Sequence, residues 1–360
     1  ASFHLDQDGC SASQCLSMLR WLQDTRKIAV VLASATVVAA CLIRRCRRQS
    51  GGNRGRVARL DPSAPAHRRW MQGIEAFILD IDGVIHVAHS PVPGAAAALE
   101  ALKAAGKSVV FMTNNATKSP EEVTQLFQSL GVPCSPEDVL TSAAAAAEYL
   151  RSLQMQGQRV YVVGMPALMS ILEERAGVAA FGSHEDDKKT REDMSKDFLP
   201  EMEPPVSEVT AVVVGTDFNI NYYKVARAVN YLRQNPRCRF ILTNPDPRAK
   251  LGGDAMLPAA GAAAQFIAVA AGRQPDMICG KPSVSLARHI LKSRGFEPHC
   301  TCMVGDRLDT DIEFGLSVGM QTLFVESGSM VADEAFAAAP QQRPHFVAPS
   351  IAMLKDLLVA

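Results

Sequence analysis

Phe77-Ile78-Leu79-Asp80-Ile81-Asp82-Gly83 decides the fold. A short apolar run ends in two carboxylates one residue apart and then a glycine, which reads as a buried strand delivering acid groups at its end. Side chains at i and i+2 point the same way along extended chain, so the charges of Asp80 and Asp82 repel. A metal cation between them would relieve that cost. So would a division of labour in which one carboxylate attacks and the other moves protons. Taken alone, Asp-x-Asp-Gly reads as readily as a solvated strand end with a turn glycine; three further segments shift the balance.

Val109-Val110-Phe111-Met112-Thr113-Asn114-Asn115 is a second apolar run, ending in a hydroxyl and two amides. Such groups at a strand's carboxyl end can donate hydrogen bonds to a phosphate, although Thr and Asn also serve turns and helix caps. Gly280-Lys281-Pro282-Ser283 follows the apolar Met277-Ile278-Cys279; by itself Lys281 is an ordinary surface lysine. Cys302-Met303-Val304-Gly305-Asp306-Arg307-Leu308-Asp309-Thr310-Asp311 delivers a Gly-Asp pair and two more carboxylates. A helix dipole explains part of that acidity, but not the strand-then-Gly-Asp arrangement. Together the four strand ends supply a nucleophile, hydroxyl and amide donors, a cation and metal carboxylates, the inventory for cleaving a phosphate ester.

In this order the segments resemble the haloacid dehalogenase superfamily of phosphohydrolases, over roughly Ile74 to the C-terminus. With Thr243-Asn244-Pro245-Asp246 added, they resemble its phosphoglycolate phosphatase, pyridoxal phosphatase and 4-nitrophenylphosphatase branch. The resemblance implies an α/β fold, a Rossmann-like doubly wound core with a large α/β cap domain inserted between Asn115 and Lys281. It makes Asp80 the nucleophile and Asp82 the general acid, and Lys281 neutralises their surroundings. Thr113, Asn114 and Asn115, with backbone amides near Asp82 and Gly83, hold the phosphoryl group; Gly83 allows a tight turn beside it. Magnesium (Mg2+) is the implied cofactor, held by Asp80, the backbone carbonyl of Asp82 and Asp306. Asp311, or failing that Asp309, orients its waters. In the cap, Asn244, Asp246 and Arg248 match the substrate-reading loop. At Arg248 the match is closer to phosphoglycolate phosphatase, and a guanidinium there suits a substrate carboxylate. His86 departs from the family, standing where a large apolar or aromatic residue is frequent. The implied activity is magnesium-dependent phosphomonoester hydrolysis, with 2-phosphoglycolate favoured and pyridoxal 5'-phosphate the alternative. A catalytically silent binding module on the same fold is the reading from another class. Loss of Asp80, Asp82, Lys281 or Asp306 would mark it, and all four are present.

The 360 residues leave room for two domains and a tail. The formal net charge of +0 hides an asymmetry: residues 1–73 hold twelve Lys/Arg against four Asp/Glu, so the remainder carries −8. A net-negative body argues against nucleic acid as substrate. The nine cysteines lack paired zinc spacing and several sit in apolar runs, which points to reduced thiols and a cytoplasmic catalytic domain.

Ile28–Ile43 contains no charged residue and is followed by nine arginines between Arg44 and Arg69. As a helix it would reach about 24 Å, short of a bilayer core of about 30 Å. Membrane anchor, cleaved targeting segment and inert apolar helix all stay open. We expect a leader over 1–73 with a flexible basic linker, core over 74–155 and 273–360, and cap over 156–272. Within the cap, residues 183–205 are dense in Asp, Glu and Lys and read as an exposed insertion. A homodimer through the cap also stays open. Alternating strands and helices give a parallel sheet with helices on both faces, its ligand site at the carboxyl ends of the strands.

Overall fold

The computed structural model describes residues 57–87, 90–194, 202–252 and 255–358. Its strands, in chain order, are β1 (Ala58–Arg59), β2 (Ala76–Asp80), β3 (His86–Val87), β4 (Ser90–Pro91), β5 (Ser108–Thr113), β6 (Val139–Thr141), β7 (Arg159–Val163), β8 (Ala179–Gly182), β9 (Val209–Val214), β10 (Arg239–Leu242), β11 (Arg248–Gly252), β12 (Ala255–Pro258), β13 (Met277–Ile278), β14 (Thr301–Gly305), β15 (Gln321–Val325) and β16 (Phe346–Ala348).

Seven strands form the core sheet in the order β1-β16-β15-β14-β2-β5-β6, and every pairing in it is parallel. All five residues of β2 and of β14 are buried. That is why they read as continuous apolar runs: helices cover both faces of the sheet. From β2 the chain crosses to β5 on one side, while β14 lies on the other. The crevice at this reversal of strand order is where open α/β sheets bind ligands. Helix Pro120–Ser129 forms where its sequence predicts. Ser119 Oγ accepts the Glu122 N–H at 3.2 Å, the Glu122 carboxylate accepts the Ser119 N–H at 2.7 Å, and Pro120 occupies the first turn.

A second parallel sheet, β13-β10-β9-β7-β8, forms the cap, with β11 and β12 making a hairpin beside it. The cap is larger than expected at both ends. Helix Ser142–Ser152, assigned above to the core, buries Ala143, Ala147 and Leu150 in one cluster with Val160, Val162, Leu168 and Ile171 of the cap. At the other end β13 pairs with β10, so the cap sheet runs to Ile278 rather than stopping at 272.

The leader is shorter than expected. Leu60 and Met71 are buried in the core cluster, and Trp70 packs at a tilt against Phe346, ring centroids 4.7 Å apart. β1 extends the sheet as its edge strand beside β16, and the Leu60 N–H donates to the Val347 carbonyl at 2.8 Å. Burying side chains of this size is worth roughly 1.5–3 kcal/mol each. Arg69 meanwhile stays exposed, so the basic composition costs little. The expectations for Ile28–Ile43 and for the arginines up to Arg56 lie outside the described residues. Among the described residues, no helix is long and apolar enough to cross a membrane.

The 183–205 segment is also not wholly exposed. Ser183, Asp186 and Met202 are buried. Asp186 accepts from the Tyr161 hydroxyl at 2.8 Å and pairs with Arg227 at 3.0 Å, while Lys224 reaches Asp187 and Asp217 at 2.5 and 2.7 Å. Asp186 and Asp187 read as solvent-facing because their buried cationic partners lie about forty residues on in the helix Tyr222–Gln234.

Candidate active site

Three core strands and one cap strand deliver the site. Asp80 closes β2, Thr113 closes β5, Asp306 follows β14, and Lys281 lies three residues past β13. The lysine therefore comes from the cap sheet, not from the core sheet that carries the other three. Its ammonium is buried and hydrogen bonds to Asp80 Oδ1 and, at 3.3 Å, to the Met112 carbonyl. It also forms an ion pair with Asp311 Oδ1 at 2.7 Å.

Asp80, Asp306 and Asp311 each bring one carboxylate oxygen within 4.8 Å of the others, and all three are buried. Burial holds Asp80 well above the ordinary carboxylate range; Lys281 opposes the shift, and the charges of Asp311 and Asp306 add to it. Burial likewise raises Asp306, with Asp311 contributing. Lys281 stays protonated: burial alone would lower its pKa, but Asp311 and Asp80 outweigh that. Three carboxylates against one ammonium leave two negative charges uncompensated in a dry place. Charges buried that way are costly unless paired or bound to metal. Oxygen-only ligands suit a hard divalent cation. The residues fit magnesium.

A pH dependence follows. Because the folded pKa of Asp80 and Asp306 is raised, these groups favour folding below the ordinary carboxylate pKa of about 4. That contribution is lost as pH climbs through the raised values. In chelator, the melting temperature should fall more steeply with rising pH for the wild type than for Asp306→Asn, which lacks one titrating group. Magnesium should flatten the wild-type curve. Equal slopes for the two proteins in chelator would contradict the electrostatic picture.

Around this cluster the remaining residues take distinct places. The Asp82 side chain is 62% exposed and stands apart, with His86 Nε2 3.8 Å from its Oδ1. His86 itself is buried, and its Nδ1 has no hydrogen-bond partner. Gly83 has φ +93°, and a Cβ there would come within 2.6 Å of the Asp306 carboxylate, so only glycine fits. Asp309 lies outside the cluster, paired with Arg307 at 2.8 Å. Asp311 Oδ2 accepts the Arg307 N–H at 3.1 Å from within a π turn over Leu308–Ile312, a local widening that recurs at functional sites. A short helix, Glu313–Ser317, follows this turn.

Thr113 is buried, and its Oγ1 accepts the Asn115 N–H at 3.0 Å. The two asparagines are occupied differently from the expectation of phosphate binding. Asn115 Oδ1 accepts from the Thr117 N–H and hydroxyl at 2.8 and 2.6 Å, closing a local turn. Asn114 joins core to cap: its amide donates to Asp246 at 3.0 Å and to the Lys281 carbonyl at 3.1 Å, and its Oδ1 accepts the Lys281 N–H at 2.8 Å. Asn244 adds a bond from its amide to the Asn114 carbonyl at 2.7 Å. Thus Asn244 and Asp246 are engaged with the core loop, and burial raises the Asp246 pKa. Arg248 is exposed at the start of the cap hairpin.

One segment escaped the sequence reading. Ser327, Gly328 and Ser329 follow β15 and pack on Asp306: the Ser329 N–H and hydroxyl donate to Asp306 Oδ2 at 2.6 and 2.7 Å. The signal was present, since small polar residues and a glycine again follow an apolar strand.

Comparison with known proteins points to one family. Residues 77–177 match the family model "Haloacid dehalogenase-like hydrolase", and residues 278–354 match a second, HAD-hydrolase-like, model. The chain is similar to phosphoglycolate phosphatase 1A of Arabidopsis thaliana, 38% identical over 259 residues that cover 72% of this chain and 70% of that one. It is also similar to glycerol-3-phosphate phosphatase of Mus musculus, 35% identical over 288 residues, covering 78% and 87%. Among solved structures, the glycerol phosphate phosphatase of Mycobacterium tuberculosis in complex with magnesium matches with a TM-score of 0.65 and 28% identity. That match covers 79% of this chain and 77% of that one.

Proposed function

This chain belongs to the haloacid dehalogenase-like hydrolases and is a phosphomonoester hydrolase, and from that footing we propose that it cleaves a small anionic phosphomonoester, 2-phosphoglycolate foremost, through an aspartyl phosphate with magnesium as cofactor. The observation that carries this reading is the buried Lys281 ammonium set between Asp80 and Asp311 with Asp306 beside them.

Asp80 attacks phosphorus as the bond to the ester oxygen breaks, and Asp82 gives its proton to the departing alkoxide. The exposed position of Asp82, apart from the buried carboxylates, leaves it free for that task. Asp82 then takes a proton from water, whose oxygen attacks the aspartyl phosphate; the bond to Asp80 breaks and inorganic phosphate leaves. Lys281 offsets the negative charge that gathers on Asp80 and the phosphoryl oxygens. Thr113 and the backbone amide of Asp82 orient those oxygens, whereas the Gly83 N–H is already given to the His86 carbonyl at 2.7 Å. Asp80, Asp306, Asp311 and the Asp82 carbonyl would hold magnesium, which supplies positive charge at the phosphoryl group when bound.

The core sees only the phosphoryl group, so substrate choice belongs to the cap. Arg248, an exposed cation at the start of the cap hairpin, would meet a substrate carboxylate. The similarity to a glycerol-3-phosphate phosphatase supports glycerol 3-phosphate as a second reading. A panel of 2-phosphoglycolate, glycerol 3-phosphate, pyridoxal 5'-phosphate and 4-nitrophenyl phosphate, assayed with magnesium and with chelator, tests both. We expect 2-phosphoglycolate to give the highest kcat/KM and chelator to abolish turnover. Arg248→Ala should lower kcat/KM for 2-phosphoglycolate by about 10- to 100-fold, the worth of one charge-assisted contact. It should leave 4-nitrophenyl phosphate, which has no carboxylate, within about threefold. Equal losses on both would remove Arg248 as the reader of the substrate.

A further inference from the structure

Asp306 has two oxygens, and the protein treats them differently. Oδ2 accepts both the backbone N–H and the hydroxyl of Ser329, at 2.6 and 2.7 Å. Gly328 presses on the same oxygen so closely that a Cβ there would lie 2.1 Å from it. Ser327 donates its hydroxyl to the Gly83 carbonyl at 2.6 Å, tying the segment to the turn beside the nucleophile. Oδ1 has no hydrogen bond among the described residues, and the carboxylate as a whole is buried.

We infer that Ser329 is a positioning residue that confines Asp306 to one-oxygen coordination and so sets both the affinity of the site for magnesium and its preference for magnesium over calcium. The inference rests on the metal reading given above. An oxygen that already accepts two short hydrogen bonds is a poor metal ligand, so Asp306 meets a cation through Oδ1 alone. Single-oxygen ligands in a fixed direction suit the small octahedral magnesium ion, whereas calcium gains from carboxylates that engage with both oxygens. Partners of metal ligands commonly govern affinity by about 10- to 100-fold when removed.

The test is calorimetric titration of the full chain with magnesium and, separately, calcium, in the absence of substrate. It compares wild type, Ser329→Ala, Ser329→Thr and Asp306→Ala. Ser329→Ala frees Oδ2 from the hydroxyl, and should weaken magnesium binding about tenfold while weakening calcium binding less, so that the ratio of the two affinities falls. Ser329→Thr keeps the hydroxyl and should restore both values. The KM for 4-nitrophenyl phosphate at saturating magnesium should stay within about twofold of wild type in Ser329→Ala. Asp306→Ala should lose magnesium binding altogether. A wild type that binds no magnesium overturns the metal reading and this inference with it. Binding that Asp306→Ala abolishes but Ser329→Ala leaves at wild-type strength, with the same magnesium-to-calcium ratio, overturns the positioning role alone. Failure of Ser329→Thr to restore binding, in a protein that melts at the wild-type temperature, also counts against the hydroxyl.

Discussion

Asp80→Asn should leave a folded protein whose phosphatase turnover has dropped by at least about 1000-fold, because removing a covalent nucleophile takes away a step that the neighbouring groups cannot replace. The amide has nearly the shape of the carboxylate. It removes one of three negative charges packed against a single ammonium, and Lys281 keeps its ion pair with Asp311 at 2.7 Å. The melting temperature in chelator should therefore hold or rise. Acid-quenched wild type incubated with labelled phosphomonoester should carry protein-bound phosphate, and the variant should carry none. Turnover within about tenfold of wild type would show that another group attacks.

Lys281→Met should be the most damaging change to the site as a whole, because it acts on chemistry and on folding together. The side chain is fully buried and its ammonium is the cation that Asp80 and Asp311 share. Removing one partner from a buried ion pair costs about 3–5 kcal/mol, since the charge left behind has neither water nor counter-ion. Turnover should fall about 100- to 1000-fold for loss of a charge aimed at the developing transition state. Magnesium should recover part of the lost stability by standing in as counter-charge. Its stabilising effect on melting should then be larger in Lys281→Met than in wild type. A variant that melts like wild type in chelator would mean that the carboxylates are compensated by something else.

Most of the candidate site was legible because the carboxyl ends of buried strands leave a distinctive mark: apolar residues, then an abrupt polar group. Asp80, Thr113, Lys281 and Asp306 all carry it, and the parallel sheet follows from the alternation around them. Other features were not legible, each for a physical reason. β13 is two residues long, too short for any periodicity to say which sheet it joins. The segment from Val57 to Gly73 was hidden by its arginines, since a few anchors such as Leu60, Trp70 and Met71 can hold a basic stretch that composition alone calls flexible. The use of Asn114 was hidden because an asparagine shows its hydrogen-bonding capacity but not its partners. Only the fold brings Asp246 and the Lys281 backbone to it.

The place of Lys281 at the end of the cap's last strand has a consequence for how such proteins can be recombined. The two halves of the molecule look interchangeable, one handling phosphate and the other the rest of the substrate, but the seam does not follow that division. The lysine belongs to the first half by chemistry and to the second by attachment, through β13 and its pairing with β10. A transplanted cap brings its own lysine register, and Asn114 of the host must meet it. Grafts that keep both junctions inside one parent, with the second cut made beyond Ser283, preserve the pairing of Lys281 with Asn114 only when the host supplies that asparagine. A cut made before Met277 instead leaves the host's short strand to find an edge in a foreign sheet.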